Sequence, residues 1–151
     1  MKTYQKQLRH LIRQLVLEVR QPPIQAAGIV VLRMFNDTPK VLILKTDEEF
    51  MDLPKGRIED GEDCLQTALR ETEEESGLSD IRFPWGMQSI RCSRCKMYVG
   101  VTEGDPVIQK NPETGAYEHT DYEWVDPAMA ASVLKPYLRP AIDWAMQQIN
   151  S

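Results

Sequence analysis

The sequence predicts an α/β domain with an additional amphipathic helix at its N-terminus. Three observations carry this expectation. Two β-rich runs, 26–34 and 40–46, are separated by the turn-rich connection Phe35-Asn36-Asp37-Thr38-Pro39. The stretch GRIEDGEDCLQTALRETEEESGL, from Gly56 to Leu78, passes from a glycine-rich loop into a helical pattern. Two more strand-like runs, 80–92 and 95–103, follow it around a short turn at Ser93-Arg94.

The 151 residues suit one domain with a sizeable core, and a composition of 42% hydrophobic and 27% charged residues is that of an ordinary globular protein. At the start, Tyr4, Leu8, Leu11, Ile12, Leu15 and Val19 recur at helical spacing, with Lys2, Lys6, Arg9 and Arg13 on other faces. Pro22-Pro23 ends this helix and makes a stiff joint. Residues 1–21 therefore form an extension, expected to dock on its own domain or on a second copy as a homodimer contact, and residues 22–151 form the single domain. Gly28 in the first strand marks a close approach by another backbone or a ligand. Residues 105–116 are turn-rich, and Tyr122, Trp124 and Val125 suggest a last strand. A short helical segment over 127–134 and a final helix over 136–149 complete the chain, with Pro140 leaving the start of the latter open.

The chemistry concentrates in the Gly56–Leu78 stretch. Leu65, Ala68, Leu69 and Thr72 make its buried face, and Gly77 stands where a left-handed residue closes a helix. Glu71, Glu74 and Glu75 project from a neighbouring stripe, and Arg70 alone is too little charge to balance them. A divalent cation resolves that repulsion, and hard oxygen ligands suit Mg²⁺, with Mn²⁺ as the alternative. Cys92 and Cys95 form a lone C-x-x-C with two of the four ligands of a structural zinc site; Cys64, His10 and His119 are the other candidates by type, and a metal or redox role is not expected.

Gly56, Glu62, Arg70-Glu71, Glu74-Glu75 and Gly77-Leu78 together resemble the complete signature of the Nudix hydrolases. The resemblance implies an α/β/α sandwich with a mixed β-sheet, and hydrolysis of a phosphoanhydride bond in a nucleoside diphosphate linked to another moiety. It also implies roles. Glu74 and Glu75 are the main metal ligands, Glu71 is a further ligand or orients water, and the Gly56 carbonyl adds an oxygen. Arg70 holds Glu71, and Glu62 supports the loop through Arg70. Glu118, just before the last strand, is the expected fourth carboxylate. Glu71, Glu75 and Glu118 are competing candidates for the general base. The segments LPKGRIEDGED, ALRETEEESG and EHTDYEWV look most like the diadenosine polyphosphate hydrolase branch. The alternatives are ADP-ribose, nucleoside triphosphates or RNA 5′-triphosphate ends, and a non-catalytic nucleotide-sensing module, which the intact carboxylates disfavour.

Lys55 and Arg57 flank the first signature glycine, and Arg91, Arg94 and Lys96 cluster at the second hairpin; all five are candidate binders of substrate phosphate. Phe50 and Met51 could stack on a base or fold inward. A net charge of −5 argues against general nucleic-acid binding and leaves a small-molecule nucleotide as the expected partner. With no signal-peptide pattern, no membrane-length apolar run and an odd cysteine count, a cytoplasmic location and no membrane partner are expected.

Overall fold

A computed structural model describes residues 2–151. The element order is α1 (Lys2–Arg20), β1 (Ala26–Phe35), β2 (Thr38–Lys45), β3 (Lys55–Arg57), α2 (Cys64–Ser76), β4 (Ser89–Cys92), β5 (Cys95–Val101), β6 (Asp121–Val125), α3 (Pro127–Val133), a 3₁₀ turn (Pro136–Leu138) and α4 (Arg139–Ile149). The sheet runs β4-β5-β1-β2-β6. It is mixed: β1 and β5 are parallel and the remaining pairs antiparallel.

The alternation of side chains along β1 splits the core in two. Val30 and Leu32 join Val41, Ile43, Met97 and Val99 beneath α3 and α4. Ala27, Ile29 and Val31 join Leu42, Leu44 and Tyr98 beneath α2. This is the expected α/β/α sandwich. The β1–β2 connection is tighter than the sequence suggests. Phe35 pairs with Thr38, and Asn36 and Asp37 both take positive φ (50° and 64°), which matches the twist of a two-residue hairpin.

Two differences from the sequence reading have local causes. The run 80–88 is not a continuous strand; it touches the sheet through one bridge, Arg82 to Val101, because Pro84 and Gly86 (φ 94°) turn the chain away. On α2 the buried residues are Thr67, Ala68, Thr72, Glu75 and Ser76, while Leu69 is exposed and Leu65 only half-buried. Small side chains at 68, 72 and 76 let the helix lie close to the sheet, which leaves Leu69 outside the interface while Leu65 packs at its edge. The Thr72 and Ser76 hydroxyls satisfy themselves by donating to the carbonyls of Ala68 and Thr72. Pro140 falls in the first turn of α4, where its missing N–H costs nothing.

Every α1 side chain from Lys2 to Leu17 is exposed, so the helix does not dock on its own domain over that length. Among the described residues, no helix is long and apolar enough to cross a membrane.

Candidate functional site

The site begins with two close approaches that only glycine allows. β3 hydrogen-bonds to the first part of β1, and a Cβ on Gly28 would sit 2.3 Å from the Pro54 carbonyl oxygen. The close approach read from Gly28 is thus to backbone. β3 in turn presents Gly56 to α2 so tightly that a Cβ there would lie 2.0 Å from Glu71 Cδ. The loop backbone and the helix carboxylates share one small volume.

α2 is fixed at both ends. Asp63 caps it in a reciprocal capping box with Gln66, and Gly77 (φ 73°) closes it by donating to the Glu73 carbonyl. Within this rigid helix Arg70 is the organising cation. Its Nε donates to Glu62 Oε2 at 2.8 Å, and Nη1 donates to Glu71 Oε1 at 2.8 Å and to Glu74 Oε2 at 3.1 Å. Nη2 donates to Glu62 Oε1 and to the Arg57 carbonyl, both at 3.0 Å. Those hydrogen bonds from Arg70 hold the Glu62 carboxyl down to about 2. Glu62 also accepts from the Thr67 hydroxyl and the Glu59 N–H, so it ties the glycine loop to the helix.

Glu75 is in a different position. It is 9% exposed, with the Lys55 backbone N–H donating to its Oε2 at 3.1 Å. Burial pushes its carboxyl up to about 9, and the negative charges of Glu71 and Asp52 add to the shift. Glu71 is raised in the same direction, by burial first, against the pull of Arg70. A buried carboxylate with this little compensation is what a cation would stabilise, so the residues present fit a divalent metal.

A cleft of about 540 Å³ gathers the predicted residues: Gly56, Arg70, Glu71, Glu74, Glu75 and Glu118 line it together with Lys55 and Arg57. Glu118 reaches it from the loop before β6, where Asn111 Nδ2 donates to its Oε1 at 2.5 Å. Lys55 enters the cleft already engaged, with Nζ 3.3 Å from Asp52 Oδ2 and 6.0 Å above the Tyr137 ring. Burial lowers the Lys55 ammonium, but Asp52 and Tyr137 outweigh it and hold the group above its ordinary range. Arg57 is the exposed cation of the pair.

Arg91, Arg94 and Lys96 do not line this cleft. They sit at the β4–β5 hairpin, where Arg91 donates to the Pro22 carbonyl and the Arg94 carbonyl accepts from the Gln25 and Ala26 N–H groups. Cys92 and Cys95 face each other there as free buried thiols against α4. Met51 folds inward, while the half-buried Phe50 lies under the Arg139 guanidinium. Sequence reasoning did not place Asp52, Lys135, Tyr137 or Asn111 at the site. Asp52, Lys135 and Asn111 come from connecting segments with no periodicity and Tyr137 from the 3₁₀ turn, and only the charge of the Asp47–Asp52 segment and the Glu118-His119 pair hinted at them.

The cleft, the glycine loop and the capped helix define a class. The chain belongs to the Nudix hydrolase family: the NUDIX domain model matches residues 23–145. Among particular relatives, the mouse asymmetrical bis(5′-nucleosyl)-tetraphosphatase is 36% identical over 63 residues, covering 36% of this chain and 43% of the mouse protein. That match therefore spans less than half of the relative. In fold, the chain is similar to a C. elegans Ap4A hydrolase binary complex, with a TM-score of 0.61, 20% identity, 80% of this chain and 93% of that chain. It is also similar to the E. coli dihydroneopterin triphosphate pyrophosphohydrolase, with a TM-score of 0.57, 23% identity, 83% of this chain and 96% of that chain.

Proposed function

We propose that this chain is a divalent-metal-dependent pyrophosphohydrolase acting on a small nucleotide, with a dinucleoside polyphosphate such as diadenosine tetraphosphate as its substrate. The observation that carries the reaction class is the convergence of Glu71, Glu74, Glu75 and Glu118 on Gly56 in one cleft, with Arg70 fixed among them. The polyphosphate choice rests on the motif resemblance and on the names of the mouse and C. elegans relatives.

Bound Mg²⁺ or Mn²⁺ supplies two things there, charge neutralisation of the phosphate oxygens and a more acidic water. Glu74, Glu75, Glu71, Glu118 and the Gly56 carbonyl are the groups that would hold it. Arg70 keeps Glu71 and Glu74 oriented before substrate arrives, so little reorganisation is needed at reaction. Glu71, Glu75 and Glu118 are the competing candidates for the base that activates water. Arg57, exposed and lining the cleft, is the cation that would meet outer phosphate oxygens. Free thiols at Cys64, Cys92 and Cys95 suit a reducing cytoplasm.

The test is a panel of diadenosine tetraphosphate, ADP-ribose, nucleoside triphosphates and a 5′-triphosphorylated RNA, run with Mg²⁺ or Mn²⁺ and products identified by mass. Diadenosine tetraphosphate should give AMP and ATP at the highest kcat/KM, and Glu74→Gln should lower kcat by ~100-fold or more. Unchanged turnover in Glu74→Gln would refute the metal site. Preference for another substrate would keep the reaction and replace the substrate. Nucleotide binding without turnover would make the chain a sensing module.

A further inference from the structure

We propose that His119 is a nitrogen ligand to a divalent cation held between Glu75 and Glu118, with Asp52 as the buried carboxylate that orients its ring. The proposal rests on the metal-dependent reading above and extends it to a residue outside the signature. One ring nitrogen of His119 and one carboxylate oxygen each from Glu75 and Glu118 all lie within 4.8 Å of one another. Donors around a cation with bonds of about 2.1 Å stand roughly 3–4 Å apart, so an adjustment of under about 1 Å closes the set. An imidazole 6% exposed, lining the cleft beside both glutamates, is not a solvated surface group.

The surroundings of His119 leave it available. Its Nε2 is 3.9 Å from Asp52 Oδ2, beyond hydrogen-bond range, and among the described residues the imidazole makes no hydrogen bond. Both members of the pair are pinned by consecutive residues of one strand. Asp52 exchanges two backbone hydrogen bonds with Leu44, at 2.8 and 3.0 Å, and Thr120, next to His119, donates to the Lys45 carbonyl at 2.9 Å. The Asp52 carboxylate also faces two ammonium groups, Lys55 at 3.3 Å and Lys135 at 3.9 Å, which keep it ionised behind the imidazole. A ring N–H donated to such a carboxylate fixes a metal-bound histidine, and His119 reaches that bond once its Nε2 closes the remaining gap of about 1 Å to Asp52.

The chemical consequence is selectivity. Ligands made of oxygen alone suit Mg²⁺, whereas one imidazole shifts preference toward Mn²⁺ and other transition metals. This cleft would then have an oxygen-only side at Gly56, Glu71 and Glu74, and a mixed side at Glu75, Glu118 and His119. Full-length protein should bind Mn²⁺ more tightly than Mg²⁺, by a margin that His119 supplies.

Mn²⁺ alone, bound to the full chain, tests this by pulsed electron paramagnetic resonance. Protein labelled with ¹⁵N only at histidine should show ¹⁵N coupling to the bound ion. The chain has one other histidine, His10, and His10→Gln should keep the coupling while His119→Gln loses it. His119→Gln should also weaken Mn²⁺ binding by at least about tenfold and Mg²⁺ binding by much less. The labelled unsubstituted chain gives an answer even if His119→Gln does not fold. Bound Mn²⁺ without histidine coupling, but lost in Glu74→Gln, overturns the His119 assignment and leaves the carboxylate site standing. Failure of Mn²⁺ to bind at all overturns both.

Discussion

Glu75 concentrates the electrostatic conflict of the molecule. Its carboxyl is raised to about 9 in the folded chain, against an ordinary value near 4.5, chiefly because burial disfavours its charge. A raised folded pKa means that the folded state holds the proton where the unfolded state has released it. Stability from this group is therefore complete below about 4.5 and is lost as pH rises from there through about 9. In chelator-treated protein, the melting temperature should fall steadily across that window. Saturating Mg²⁺ or Mn²⁺ should flatten the fall, and Glu75→Gln should remove most of it. Calorimetry with and without chelator checks the sign. A melting temperature that rises with pH in the metal-free protein would contradict the buried placement of Glu75. Arg70 shows the opposite case: its fork meets Glu62, Glu71 and Glu74 at once, so a single residue makes three carboxylates compatible. The spacing of those four residues could be read from the sequence because they share one helix and its preceding loop. The pairing of Asp52 with Lys55, Lys135 and His119 could not, since it joins segments whose proximity only the folded sheet creates.

Among the elements, α2 carries both the site and the clearest sequence signals. Its glycine end and its glutamate stripe follow from local rules, as does the N-terminal Asp63, whose side chain accepts from the Gln66 N–H at 2.8 Å. Asp63→Ala should cost about 1 kcal/mol in a denaturant titration, the usual value of a lost cap, with the slope of the transition unchanged. A loss below about 0.3 kcal/mol would mean that Gln66 and the loop hold the helix start unaided. The face that α2 buries was less legible. Of the four residues expected there, Ala68 and Thr72 are buried and Leu65 half-buried, but Leu69 is exposed and Ser76 is buried in its place, because small residues let the helix lie close to the sheet. The β4–β5 hairpin gives a similar lesson. Arg91, Arg94 and Lys96 cluster in sequence as a phosphate patch would, but their strand register puts them beside the chain entering β1 rather than in the cleft.

For the whole molecule, α1 is the element with an exposed apolar stripe. Tyr4, Leu8, Leu11 and Leu15 form an exposed stripe with spacings alternating between four and three, the seam of a two-helix contact. We propose that a second copy covers it, making a homodimer. On a helical projection Gln7 and Gln14 flank one side of the stripe and Gln5 and Ile12 the other, while Lys2, Lys6, Arg9 and Arg13 lie on the far face. Both flanks are uncharged, so two copies can close the stripe without bringing like charges together, and the basic face stays in solvent. Light scattering should give a dimer for the full chain and a monomer after deletion of residues 1–21, with the melting temperature of the remaining domain nearly unchanged. A monomeric full chain would leave the stripe without this partner. Pro22-Pro23 makes such a deletion clean, because the family match begins at residue 23.

The parallel β1–β5 pair has a kinetic consequence. It joins Ala26 to Cys95 and Leu32 to Val101, so the centre of the sheet must wait until most of the chain has been made and brought back on itself. α2, capped at both ends, can form from local contacts long before that event. Its glutamates are therefore presented to water early, while Glu118, the Asp52 group and the β3 loop arrive only once β1 has its neighbours. A chain that has collapsed around α2 alone has the signature but not the cleft. Completion of the sheet is what turns a charged helix into a binding site.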